Sequence, residues 1–285
     1  MPDHPGKWKL WTIASPRLRA GYFEPGIYTT LMGLKMVLRP EQYIDRFIYL
    51  WGEWEPDETH IIRRILRPGD RFVDIGANAG YFTLLAANIV GKDGQVDAFE
   101  PVPTTAQLLR ENIARNSLTN VRVHECAASQ AEGSVFIYQH GAGGISGQNS
   151  MRAVQETNKG WTVETRRVDQ VLASKPSIRL IKLDVEGAEL LALSGASALL
   201  SGDDAPIVLC EVTDSFMREI YGNEDELFKF IEQYGCSYIY DIHNRKMKML
   251  GQMSEKLRRC SATWCLQNIS CKFAVADPVP SFRAI

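Results

Sequence analysis

Apolar residues in this chain switch repeatedly between helical and strand spacing, and the switching lays out the elements. Ile61, Ile62, Ile65 and Leu66 share one helical face within 58–66, and Arg67-Pro-Gly-Asp70 ends that helix. From there the pattern predicts a strand at 71–75, helix 80–90, strand 95–99, helix 103–116, strand 120–126 and a short strand 134–138. A glycine-rich stretch, Gly141-Ala-Gly-Gly-Ile-Ser-Gly147, then reads as a loop, followed by a polar strand-like segment at 161–167. Strand 178–185, helix 188–200, strand 207–212 and helix 224–234 complete the series. Such alternation predicts an α/β fold, a mostly parallel, Rossmann-like sheet with helices on both faces. Residues 1–69 show no clear alternation and hold four of the six tryptophans, Trp8, Trp11, Trp51 and Trp54. They read as an N-terminal cap for substrate recognition, with the cofactor-binding domain at 70–285.

Composition narrows the partners. Lys+Arg 32 against Asp+Glu 34 leaves a net charge of −2, with no basic excess to grip a phosphate backbone, so nucleic acid is not expected. The longest apolar stretch, 190–200, is broken by Ser and Gly and falls short of the roughly 18 residues a membrane span needs. Met1-Pro-Asp-His-Pro-Gly6 lacks a basic region followed by an apolar core, so no secretory signal is expected. The six cysteines, at 126, 210, 236, 260, 265 and 271, include no C-x-x-C pair. Cys126 and Cys210 lie in apolar surroundings and read as buried thiols, and the spacing of the others does not fit the common zinc patterns. A reducing cytoplasm is the expected location. Aromatics near the start hint at a homo-oligomer.

The chemistry starts at Asp70–Gly80. This run passes from an apolar strand through Asp74, Gly76, Asn78 and Gly80 into the helix that opens at Tyr81. Small residues let a ligand approach the backbone, and a helix N-terminus offers unpaired N–H groups. A dinucleotide fingerprint would read G-x-G-x-x-G, whereas this series is D-x-G-x-N-x-G. A carboxylate at Asp74 repels a pyrophosphate and favours an ammonium, so the better ligand is an amino acid joined to a nucleoside, the shape of S-adenosylmethionine. The next strand ends in Glu100-Pro101, where a carboxylate can accept hydrogen bonds from both ribose hydroxyls.

The segments 72–86, Glu100-Pro101 and Lys182-Leu-Asp-Val-Glu-Gly-Ala-Glu189 resemble the FkbM-type family of S-adenosylmethionine-dependent methyltransferases. The resemblance includes Tyr49-Leu-Trp-Gly-Glu-Trp-Glu-Pro56, extends to about Glu211, and has its most specific element in the D-V-E-G-A-E run. It implies a class I methyltransferase fold, with hydroxyls of sugars and polyketides, and in some members peptide nitrogen, as acceptors.

In Leu180-Ile-Lys-Leu-Asp184, Lys182 and Asp184 share one strand face, and burying such charges is costly unless they are paired. Methyl transfer to oxygen needs alignment and a proton acceptor, and Asp184 is the first candidate for that base. Glu186 and Glu211 are alternates that would orient the substrate. Three acids at strand ends could hold Mg²⁺, but with no histidine among them a required metal is not expected. Glu189 reads as an acid at a helix start. The cofactor set is therefore Asp74, Gly76, Asn78, Gly80, Tyr81, Glu100, Pro101, Asp184 and Ala127, the last as a small residue beside adenine. Trp51 and Trp54 could stack on a sugar ring, His140 borders the glycine-rich loop, and residues 141–150 are long enough to form a lid. The expected function is O-methylation of a sugar or natural-product hydroxyl on a small-molecule or glycosylated acceptor. The rivals are N-methylation of a peptide or amino sugar, a NAD-dependent oxidoreductase, and a non-catalytic cofactor-binding scaffold.

Overall fold

The computed structural model describes residues 23–139, 159–173, 177–201, 204–212, 225–234, 236–241, 246–249 and 262–268. Arg71–Ile75 (β3) is buried at every position, as a central strand covered on both faces must be. Phe72 points into one apolar cluster with Phe82, Leu85 and Leu109, whereas Val73 and Ile75 join Leu193 and Phe228 in a second. The period-two alternation of a strand thus divides the core into two layers.

Before β3 come a hairpin, β1 (Gly26–Thr29) and β2 (Lys35–Leu38), and two helices, α1 (Tyr43–Trp51) and α2 (Pro56–Ile65). After it follow α3 (Tyr81–Val90), β4 (Gln95–Phe99), α4 (Pro103–Arg115), β5 (Val121–His124), β6 (Ala127–Ala128), β7 (Gly133–Tyr138), β8 (Gly160–Arg166) and α5 (Val168–Val171). The chain continues through β9 (Leu180–Leu183), α6 (Glu189–Ser194), β10 (Ile207–Val212), α7 (Asp225–Glu232), β11 (Cys236–Asp241), β12 (Lys246–Met249) and β13 (Ala262–Asn268). The main sheet has the order β12-β11-β13-β10-β9-β3-β4-β5. Its five strands from β10 to β5 are parallel, while β13 runs antiparallel between β10 and β11. β6, β8 and β7 form a small separate sheet. The strand order runs outward from β3 to β4 and β5 on one side and from β9 to β10 on the other, which makes the carboxyl ends of β3, β4, β9 and β10 the crevice where ligands bind in such sheets.

Two expected elements are shorter than read. The strand read at 120–126 stops at His124 (β5), and the two-residue β6 that follows belongs to a different sheet. The helix read at 188–200 breaks at Gly195, where an added Cβ would lie 1.9 Å from the Ser129 carbonyl oxygen, and resumes as a 3₁₀ turn at Ser197–Leu199. Glycine there lets the chain pack directly on the turn after β6.

The segment before residue 70 shares the core of the sheet. Met36, Leu38, Ile48 and Ile62 belong to the same cluster as Phe72 and Leu84. Asn112 of α4 joins the two parts. It is fully buried, its Oδ1 accepts from the Val37 N–H at 3.0 Å, and its Nδ2 donates to the Ala79 carbonyl at 2.9 Å. One side chain therefore holds both the hairpin and the turn ahead of α3. Asn112→Ala leaves both partners unsatisfied and is expected to destabilise by about 1–3 kcal/mol in urea unfolding. The same change at the more exposed Asn116, which brackets Lys35, should cost less. Among the described residues no helix is long and apolar enough to cross a membrane.

Candidate active site

The turn after β3 carries left-handed backbone at Gly76 (φ 85°), Asn78 (φ 51°) and Gly80 (φ 98°). Its glycines answer to the protein itself. A Cβ on Gly76 would lie 1.9 Å from the Asp184 carbonyl oxygen, and one on Gly80 would lie 2.4 Å from Leu109 Cδ1. The Gly76 and Ala77 N–H groups both donate to the Phe99 carbonyl at 3.0 Å, which locks the turn across β4. Asn78 N–H donates to Glu100 Oε2 at 2.9 Å and Val102 N–H donates to Oε1 at 3.0 Å, so the carboxyl at the end of β4 is held at both oxygens. Burial pushes Glu100 up to about 7 against those two donors.

Beneath the turn lies a buried charge pair. Asp74 and Lys182 are direct register partners in β3 and β9, on the face toward α3. Asp74 Oδ2 accepts from Thr83 Oγ1 at 2.6 Å, while its Oδ1 is buried with no partner. Lys182 Nζ sits 4.7 Å from the centre of the Phe82 ring and donates to Asp184 Oδ2 at 3.1 Å. Burial works against the Lys182 ammonium, but Asp184, Asp74 and Glu55 outweigh it and hold its proton more tightly than in an ordinary lysine.

Above these residues opens a cavity of about 530 Å³. Glu100, Pro101, Thr105 and Ala127 line it on the β4 side, and Tyr43, Trp54, Glu55, Glu186 and Glu211 line it on the cap and β10 side. Gly76, Asn78 and Asp184 come between them in sheet order. Asp184 is the electrostatic centre. Its charge first, and burial second, push Glu211 up to about 9. Burial first, then Asp184, pushes both Glu186 and Glu55 to about 8. Glu186 is itself left-handed (φ 52°), and buried Glu189 accepts from Gly187 N–H at 3.0 Å, pinning the loop that carries Asp184 and Glu186. Among the described residues no three His, Cys, Asp or Glu side chains converge as a metal site. Cys126 and Cys210 are buried free thiols, as expected.

The sequence-derived set is thus largely assembled around one cavity, with four departures. Asp74 is buried beneath the turn, held by Thr83, and does not line the cavity. Gly80 faces Leu109 and not the cavity. Tyr81 is buried against the cap, its hydroxyl 3.2 Å from Thr59 Oγ1, because the left-handed turn at Gly80 directs the first residue of α3 toward α2. Trp51 is 42% exposed at the end of α1, outside the cavity that Trp54 lines. His140 and the lid expected at 141–150 lie outside the described residues. Sequence reasoning missed Glu55, Tyr43 and Thr105. Glu55 carried a signal, since it precedes Pro56 at the first position of α2, where proline marks a helix start.

Residues 74–241 match the methyltransferase FkbM domain, more than half of the chain. This chain belongs to the FkbM methyltransferase family. A Beauveria bassiana protein named methyltransferase 1 is 30% identical over 45% of this chain and 59% of its own length. The 31-O-demethyl-FK506 methyltransferase FkbM of Streptomyces tacrolimicus is 32% identical over 52% of this chain and 67% of its own. The methyltransferase sdnD of Sordaria araneosa is 31% identical over 52% and 68%. The match therefore spans three fifths to two thirds of these relatives. The FkbM domain's site fits a nucleoside-linked amino acid on its own geometry. Glu100 stands at the end of β4 for a diol, Ala127 and Thr105 leave room for a ring, and the unpartnered Asp74 Oδ1 is an acceptor in need of a donor.

Proposed function

We propose that this FkbM domain is an S-adenosylmethionine-dependent O-methyltransferase acting on a hydroxyl of a sugar or natural product. The observation that carries the reading is the single cavity shared by Glu100, Asn78, Asp184 and the cap residues Tyr43 and Trp54. Its volume suits a small-molecule site, which typically measures about 300–1,000 Å³. The name of one relative, 31-O-demethyl-FK506 methyltransferase, supports the same reading.

Bound S-adenosylmethionine supplies an electrophilic methyl group. The chain's residues do the rest. Asn78 N–H and Val102 N–H fix Glu100 for the ribose diol, and Asp74 offers Oδ1 beneath the turn. Lys182 holds Asp184 by one oxygen at the carboxyl end of β9, where the carboxylate would accept the acceptor's hydroxyl proton. Glu186 and Glu211 would orient the acceptor, and Trp54 and Tyr43 offer apolar faces to it. An amine acceptor is the nearest rival, favoured by the excess of carboxyl groups around Asp184. A cytoplasmic location belongs to the same proposal, as does self-association through the exposed Ile27, Leu31 and Trp51 of the cap.

Calorimetric titration with S-adenosylhomocysteine, with NAD in a parallel cell, tests the reading. Micromolar affinity for the first and none for the second is expected, followed by methyl transfer to a member of a glycoside, polyketide or peptide panel. NAD binding, or binding of neither, would overturn it. Retained biological role in an Asp184→Ala, Glu186→Ala double variant would favour the scaffold alternative.

A further inference from the structure

Glu55 is a carboxyl that the cap brings to the cavity, and its backbone there is built at some cost. It sits in a left-handed conformation (φ 41°, ψ 76°) that non-glycine residues rarely adopt, immediately ahead of Pro56. Glu211, at the far end of the cavity's strand order, approaches from β10. Both are half-buried along the partly open cavity, and among the described residues neither carboxyl makes a hydrogen bond. The groups that act on Glu55 are Asp184 and Lys182 from β9 and its end, Glu58 of α2, and Glu186 of the loop before α6. Those acting on Glu211 are Asp184, Glu55, Lys182 and Glu186. Tyr43 of α1 feels Glu55 in turn. Lys182 is the cation among these groups, and it already donates to Asp184. The fully buried Asp74 Oδ1, unpartnered beside Lys182, adds a further acceptor to the same face.

Two carboxyls without hydrogen-bond partners, lining one cavity with Asp184, are balanced by protons or by a second cation. The methyl donor carries such a cation at its sulfur, and the product does not. We infer that Glu55 and Glu211 form a wall that reads the positive charge of the methyl donor, so that S-adenosylmethionine enters with release of a proton and S-adenosylhomocysteine enters without it. The inference rests on the cofactor reading above and deepens it.

The proton balance closes over a turnover. The cation displaces a carboxyl proton to solvent on binding, leaving a carboxylate in the wall. When the methyl–sulfur bond breaks and the methyl–oxygen bond forms, the sulfur becomes neutral and the hydroxyl proton passes to Asp184 and from it to the wall carboxylate. The wall is then protonated again around an uncharged product, to which it has no charge-based attraction. In the empty protein Glu55 and Glu211 hold protons up to about 8 and about 9, so the effect falls in an accessible pH range. Because the donor binds better to the ionised wall, its affinity should rise with pH below those values, by about tenfold per pH unit for each proton released.

The test is calorimetry of S-adenosylmethionine and S-adenosylhomocysteine, each in two buffers of different ionisation enthalpy near pH 7.5, which counts protons exchanged per ligand. The expected result is about one more proton released by S-adenosylmethionine than by S-adenosylhomocysteine, as one titration of a coupled carboxyl pair. That excess should shrink in both Glu55→Gln and Glu211→Gln, which keep shape and lose the proton. S-adenosylhomocysteine affinity in those variants should stay within a few-fold of the parent, which also shows that they are folded. Equal proton release by the two ligands in the unaltered protein overturns the inference while leaving the cofactor reading intact. Binding of neither ligand overturns both.

Discussion

Gly76→Ala is expected to abolish S-adenosylhomocysteine binding, by about 100-fold or more, and to lower the melting temperature by roughly 5–10 °C. Two effects combine. The left-handed backbone at φ 85° costs an alanine about 1–2 kcal/mol, and its Cβ would fall 1.9 Å from the Asp184 carbonyl oxygen. Backbone cannot rotate aside as a long side chain can. Either the turn moves, breaking the paired N–H bonds to Phe99, or the loop bearing Asp184 and Glu186 moves. Gly69→Ala is the control, because Gly69 has the same hand (φ 86°) and nothing within 4 Å of an added Cβ. It should lose only the conformational part and keep its ligand. Thermal melts of both variants with and without S-adenosylhomocysteine separate the two contributions. Unchanged affinity in Gly76→Ala would mean that the turn does not frame the site.

Lys182→Met should be the most destabilising single change in the sheet, by about 3–5 kcal/mol, because it leaves buried carboxylates without their cation. Methionine fills similar volume against Phe82, so the loss would be one of charge and not of packing. Its pH dependence carries the sign. Burial already raises Asp74 above the usual aspartate range, and Lys182 is the strongest influence pulling it back. Without Lys182 the folded state should hold Asp74's proton still more tightly, while the unfolded chain releases it near pH 4. Stability is then present at low pH and lost as pH rises through the folded value. Urea unfolding should show the gap between variant and parent narrowing at about pH 5 and widening at about pH 8. A gap independent of pH would assign the loss to packing.

The stretch from β3 to β4 was legible because everything that shapes it is local: a run of apolar residues, two left-handed glycines and a carboxyl at the next strand end. Glu100, Asp184 and Glu211 followed from strand ends alone, since the sheet's topology decides where such ends converge. Tyr81 did not follow. Where the first residue of a helix points depends on what packs against it, here Thr59 of α2, and no periodicity carries that information. The break at Gly195 is of the same kind, imposed by Ser129 some 66 positions away (195 minus 129). The cap was opaque for a different reason. Its apolar positions complete a layer of the main core, and outside the helical face at 58–66 they show no clear alternation within 23–69. Glu55 directly follows Trp54 of that layer, so a carboxyl that lines the cavity lay unseen beside a proline that announced only a helix start.

The placement of β13 bears on how the chain is made. A ribosome releases β3 through β10 well before residues 262–268 emerge, yet those residues pair with β10 on one side and β11 on the other. Until they arrive, β10 presents an open edge at Val208–Val212, the stretch that carries Glu211, and an unpaired edge invites other strands. The edge that carries Glu211 is therefore closed only once residues 262–268 have been made, and its exposure during synthesis is where mispairing with other strands would begin.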